Sequence, residues 1–103
     1  MADDAKLINV NITFRNTAST DALKQYAVEK LTNCLRKFVH QDTDVTFVLS
    51  VEKNRQIAEA TFYTDGSPFN VKHESGDLYA SIDGLCDSLT QQLRKNKEKL
   101  TDH

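Results

Sequence analysis

The sequence predicts an α+β fold of order βαβββα, with two helices packed on one face of a four-stranded mixed sheet. Three observations predict it. Four short stretches alternate apolar and polar residues with a period of two, which marks half-buried strands. Two longer stretches carry apolar residues three and four apart, on a single helical stripe. One helical stretch separates the first strand from the second, so that pair is expected to be parallel; turns alone join the later strands, which should be antiparallel. One apolar face per strand and one stripe per helix put both helices on the same side and leave a polar sheet face open.

Residues 1–5 are expected to be loose. Over residues 7–14, Ile8, Val10, Ile12 and Phe14 face one way and Asn9, Asn11 and Thr13 the other. Arg15 to Ser19 is a polar connection, and Ser19 or Thr20 can cap a helix whose stripe is Leu23, Ala27, Leu31, Cys34 and Phe38, with Tyr26 beside it. Val39 to Thr43 reads as a linker. Val45, Phe47, Leu49 and Val51 alternate next, and Lys53-Asn54-Arg55 supplies a tight turn. Residues 56–63 set Ala58, Ala60 and Phe62 against Ile57, Glu59, Thr61 and Tyr63. Asp65-Gly66-Ser67-Pro68 is the clearest turn signal in the chain. Phe69 to Glu74 is a weaker fourth strand, and Ser75-Gly76 leads into the last helix.

That helix, Asp77 to Leu100, organises the rest. Leu78, Ile82, Leu85, Leu89 and Leu93 form its stripe, and Asp77 stands where a capping carboxylate accepts from first-turn amides. At 1.5 Å per residue it reaches about 36 Å, whereas an eight-residue strand covers roughly 26 Å. The helix must overhang the sheet, and its overhanging end is basic: Arg94, Lys95, Lys97 and Lys99 stand against Glu98 alone. Residues 101–103 are expected to be loose.

The 103 residues suffice for one domain and one core, with 39% hydrophobic and 27% charged residues, three Gly and one Pro arguing against disorder. No apolar run approaches the ~18 residues of a membrane span, and Met1 to Lys6 is too polar for a signal peptide, so a cytoplasmic location without membrane association is expected. Cys34 and Cys86 fall at apolar or flanking helix positions and are expected as buried free thiols, since a reducing compartment disfavours a disulfide.

Net charge is −2, which argues against the simplest nucleic-acid binder, but the charges are segregated. Residues 20–38 carry Lys24, Lys30, Arg36 and Lys37 against Asp21 and Glu29, a local +2; residues 94–100 carry +3, leaving −7 elsewhere. Local patches outweigh the sum because screening acts over about 10 Å. Lysines near helix C-termini also serve simply to complement the helix dipole.

Enzymatic constellations are thin. His40, His73 and His103 lack ligand spacing to either cysteine, so no zinc site is expected. Cys34 and His40 are close in sequence, but a cysteine on the core stripe is inaccessible as a nucleophile. Asp83 and Asp87, one turn apart on the outer helix face, read as a solvated acidic surface rather than a cation site. No glycine-rich phosphate loop occurs. No cofactor, metal or small-molecule substrate is expected.

The basic residues remain. On a helical wheel Arg94 points opposite the leucine stripe, Lys97 flanks one side, and Lys95 and Lys99 flank the other. A projecting end surrounded by charge suits insertion among several phosphate backbones better than reading of one groove. Lys24 and Lys30 border the first helix's stripe and can share that surface. No aromatic residue sits among these bases, so shape and backbone contacts are expected rather than base stacking.

Asp77-Leu78-Tyr79-Ala80-Ser81-Ile82-Asp83, then Leu89, Gln92-Leu93 and Lys95-Asn96-Lys97-Glu98-Lys99-Leu100, closely resembles the final helix of the ribosome hibernation promoting factor family. This family of bacterial small-subunit binders includes the ribosome-associated inhibitor and the sigma-54 modulation proteins. Asn11-Ile12-Thr13, Thr20-Asp21-Ala22-Leu23 and Val51-Glu52-Lys53 match its other recurrent stretches. The resemblance implies a single ribosome-binding domain over residues 1–103. It further implies binding to 16S rRNA of the 30S subunit and 70S ribosome, in the channel of mRNA and tRNA, keeping idle ribosomes inactive in stationary phase or stress. RNA-contacting positions of the family match Lys24, Lys30, Lys95, Lys97 and Lys99. Gln91 departs from an arginine common in relatives, and neighbouring Arg94 can compensate. The end at His103 implies the short form, expected to favour 100S dimers with a separate ribosome modulation factor.

A second reading of the same fold is a protein–protein adaptor acting through the polar sheet face. A third is a metal-dependent enzyme using Asp83 and Asp87. Steep salt dependence of ribosome binding distinguishes the first, salt-insensitive binding to a protein the second, and metal-dependent turnover the third.

Overall fold

Six elements follow in the expected order: β1 (Ile8–Arg15), α1 (Asp21–Arg36), β2 (Thr43–Glu52), β3 (Arg55–Thr64), β4 (Ser67–Ser75) and α2 (Leu78–Thr101). The structure, a computed structural model, describes residues 7–39, 41–64 and 66–101, and of residues 96–101 the backbone only. The expected loose start at 1–5, His40, Asp65 and residues 102–103 lie outside the described residues. Thr101, expected to begin a loose end, is instead the last residue of α2.

The strands form one mixed sheet in the order β1-β2-β3-β4. β1 runs parallel to β2 with Val10 beside Val45 and Ile12 beside Phe47; β2/β3 and β3/β4 are antiparallel. β2 and β3 are joined by Lys53 and Asn54 alone, with Lys53 at φ +57, the left-handed sense that lets a two-residue hairpin follow the strand twist. Gly66, at φ +75, does the same before β4. Pro68 is tolerated because β4 is an edge strand.

Both helices cover one face. Leu23, Ala27, Leu31, Cys34 and Leu35 of α1, and Leu78, Ile82, Leu85, Cys86, Leu89 and Leu93 of α2, close over Val45, Phe47, Leu49, Ala58, Ala60, Phe62, Phe69 and Val71. Phe62 and Phe69 are cross-strand partners whose rings stack 5.2 Å apart. The end of α1 differs from expectation. Phe38 is only half-buried, because the helix stops at Arg36 with Lys37 as its C-cap and the amides of Phe38 and Val39 fold back onto the Leu35 carbonyl. Leu35 and Val39 are the buried side chains there, so part of the expected linker belongs to the core.

The helix starts are as the sequence indicates. Thr20 Oγ1 accepts from the Leu23 amide at 3.1 Å, and Asp77 Oδ2 from the Ala80 amide at 3.2 Å. A less legible device fixes the angle of α2. The fully buried Ser81 donates its hydroxyl to the Gln56 carbonyl of β3 at 2.6 Å, and Ser75 Oγ lies 2.9 Å from it. Ser81→Ala deprives the carbonyl of half-buried Gln56 of this donor, and urea unfolding should show a loss of about 0.5–1.5 kcal/mol. Gly84 serves the same junction. A Cβ there would fall 2.2 Å from Nε2 of His73, so only glycine lets α2 settle against β4 with that imidazole in place.

Candidate nucleic-acid interface

α1 and α2 run parallel, and each turns a row of side chains toward the other. Tyr26, Lys30, Cys34 and Lys37 recur at spacings of four, four and three; Tyr79, Asp83, Cys86 and Thr90 recur at four, three and four. The rows mesh in order. The Tyr26 ring meets Tyr79 edge-on at 5.0 Å, its hydroxyl donates to Asp83 Oδ1 at 2.6 Å, and Cys34 Sγ lies 3.2 Å from Thr90 Oγ1.

This pairing revises the expected outer acidic face. Asp83 is turned toward α1, accepting from Tyr26 and lying 3.5 Å from Lys30 Nζ, while Asp87 stays exposed. The wheel alone puts both aspartates opposite the leucines; the packing of α1 against one flank of α2 brings Asp83 to the seam. Its carboxylate pushes the Lys30 ammonium upward in pKa by charge attraction, and pushes the Tyr26 phenol upward chiefly through their hydrogen bond. Lys30 Nζ also stands 5.6 Å from the Tyr26 ring centre. Lys30 is therefore half-exposed but already partly neutralised.

The other expected contacts separate along the helices. Lys24 is exposed near the start of α1. Arg94 and Lys95 are exposed just past Leu93, the last buried leucine among the described side chains of α2, and neither has an ion pair among the described residues. Counting along the parallel axes from the Cys34–Thr90 contact, Lys24 and Arg94 stand about 21 Å apart. The side chains of Lys97 and Lys99 lie outside the described residues. The structure thus makes a line of cations along two helices rather than one cluster.

Two residues counted in the charge tally but not singled out as contacts join that line. Arg36 and Lys37 are exposed at the end of α1, level with the last packed turn of α2. Arg94, four residues past Thr90, continues the row that faces α1. Both helices therefore bring bases to one end of the molecule. The sequence cue was available, since Lys37 follows Cys34 at helical spacing, but it needed the knowledge that the helices are parallel.

The open sheet face satisfies much of its own charge. Arg55 donates to both Glu74 oxygens at 2.7 and 2.9 Å and lies 3.8 Å from Glu52. The Arg55 hydrogen bonds hold the Glu74 carboxyl below its ordinary value. Asn70 donates to Glu59 and Thr61, and Asn9 to Asp44. Ile57, on this face as expected, is buried, and it shares a shallow hollow with Arg15, Glu52, Arg55, Glu59 and Lys72.

Residues 10–101 match the family described as sigma 54 modulation protein / S30EA ribosomal protein. A ribosome hibernation promoting factor of Klebsiella oxytoca is 38% identical over 96 residues, covering 93% of this chain and all of the relative. Among solved structures, the Thermus thermophilus Protein Y N-terminal domain superposes with a TM-score of 0.74 at 27% identity, covering 84% of this chain and 97% of that one. A ribosomal subunit interface protein from Coxiella burnetii gives 0.72 at 25% identity, covering 87% and 96%.

Proposed function

The chain belongs to the sigma 54 modulation protein / S30EA ribosomal protein family, and from that premise we propose that it is a cytoplasmic ribosome hibernation factor acting by occupancy rather than catalysis. It binds 16S rRNA of the 30S subunit and the 70S ribosome in the mRNA and tRNA channel, and so blocks translation in stationary phase or stress. In this reading residues 1–103 act as one ribosome-binding domain, which favours 100S dimers together with a separate modulation factor.

The observation that carries the RNA-binding part is that Arg94 and Lys95 are exposed just past buried Leu93, with no ion pair among the described residues. Phosphate contacts there leave the core untouched, and Lys97 and Lys99 extend the same basic segment. Arg36 and Lys37 add charge at that end. Lys24 and Lys30 serve as outlying contacts, with Lys30 contributing less because Asp83 already holds it. The adaptor alternative draws less support, because the most prominent charges of the sheet face are spent on one another.

Sucrose-gradient co-sedimentation with purified 30S subunits and 70S ribosomes, at low and high salt, tests this reading. Association that weakens steeply with salt is expected, since log affinity falls by roughly 0.7–0.9 per phosphate contact for each decade of salt. Absence of association at every salt concentration overturns it.

A further inference from the structure

We propose that Cys34 and Cys86 form a peroxide-reactive dithiol that closes into a disulfide joining α1 to α2. The inference stands on the helix seam and does not depend on ribosome binding.

Both cysteines are free, and they belong to the two rows that mesh across the seam. The Cys34 thiol donates to the Cys86 main-chain carbonyl at 3.7 Å and lies 3.2 Å from Thr90 Oγ1. Against the expectation that a stripe cysteine is wholly inaccessible, they sit at the margin of the core rather than its centre. Cys34 is 8% exposed and Cys86 9%, whereas Leu31, Leu85 and Leu89 around them are at 0%. This residual exposure suits a small oxidant better than a bulky thiol reagent.

The surroundings make the two thiols unequal. Ionised Cys34 accepts hydrogen bonds from the Cys86 thiol and the Thr90 hydroxyl, and Lys37 in the same row adds favourable charge. These outweigh burial and the opposing Asp87, so Cys34 ionises more readily than an ordinary cysteine. Cys86, donor in that pair and buried, is pushed the other way and keeps its proton. One sulfur is thus the attacking thiolate and the other the resolving thiol.

The reaction balances with a hydroperoxide as oxidant. The Cys34 thiolate attacks the peroxide oxygen and breaks the O–O bond; the sulfur becomes a sulfenic acid and hydroxide leaves, taking up the proton Cys34 had released to form water. The Cys86 sulfur then attacks the sulfenic sulfur and forms the S–S bond, while the sulfenic oxygen leaves with the Cys86 proton as a second water. Two thiols are oxidised by two electrons and one hydrogen peroxide is reduced to two waters. The bond spans 52 positions and ties the last turn of α1, next to Lys37, to α2 about two turns before Arg94.

The test treats the native full chain with stoichiometric hydrogen peroxide, followed by intact mass, free-thiol titration and peptide mapping without reductant. Expected are a monomer lighter by two hydrogens, loss of both thiols together, a mapped Cys34–Cys86 cross-link, and full reversal by dithiothreitol. Cys86→Ser should stall at a sulfenic acid on Cys34 that dimedone captures, and Cys34→Ser should react far more slowly. Oxidation only after denaturant is added, thiols lost one at a time, or intermolecular dimers as the main product would overturn the proposal. The wild-type cross-link decides the matter even where a variant folds poorly.

Discussion

Arg94→Glu combined with Lys95→Glu should weaken binding to 30S subunits by about 10²–10⁴-fold at low salt, taking each lost charge-assisted contact as roughly 1.5–3 kcal/mol. Both side chains are exposed and lie past Leu93, so the melting temperature should hold. The salt dependence carries the sharper information. Two lost phosphate contacts lower the log–log slope by roughly two, whereas a change in protein–protein docking leaves it nearly flat. Lys24→Glu, about 21 Å away along the helix axes, should cost less and act additively. An unchanged affinity for the Arg94/Lys95 variant would place the RNA-binding face elsewhere and disprove the proposed assignment.

The fold was legible because its determinants are local and periodic. Alternation marked β1 to β4, with ends shifted by a residue or two, and the leucine spacing of α2 named every buried leucine among that helix's described side chains. Parallel pairing of β1 with β2 followed from the helix between them. Non-local features were missed. Leu35 and Val39 enter the core because α1 ends at Arg36, a point that no strong stop signal marks. Ser81 reads as a small polar residue until Gln56 of another strand is placed beside it. The same limit governed the candidate interface. The basic end of α2 could be seen in composition alone, but the neutralisation of Lys30 by Asp83 spans 53 positions and depends on which flank of α2 meets α1. Charge counts treat both residues as free. The seam shows the two already engaged with each other, which shifts weight to the helix ends.

Leu89→Ala, in contrast, should destabilise without touching RNA contacts. Leu89 is at 0% exposure and sits one turn before Leu93, the last buried residue among the described side chains of α2. It joins the single core built by both helices and the sheet, so the neighbours that could collapse into the vacated space are themselves held from both sides. A loss of about 2–5 kcal/mol is expected. For a chain of this size each kcal/mol lowers the melting temperature by about 4–8 °C, so even the low end is a shift of roughly 8–16 °C. Thermal and urea melts followed by circular dichroism measure it. Ribosome affinity, read well below the new midpoint, should stay within a few-fold of the parent, because the exposed bases lie beyond the cavity. The two variants therefore have opposite signatures: one keeps its melting temperature and loses binding, the other loses stability and keeps binding. A Leu89→Ala protein that melted with the parent would contradict the packing of α2. One that lost affinity while fully folded would show that the basic end depends on the last packed turn for its position.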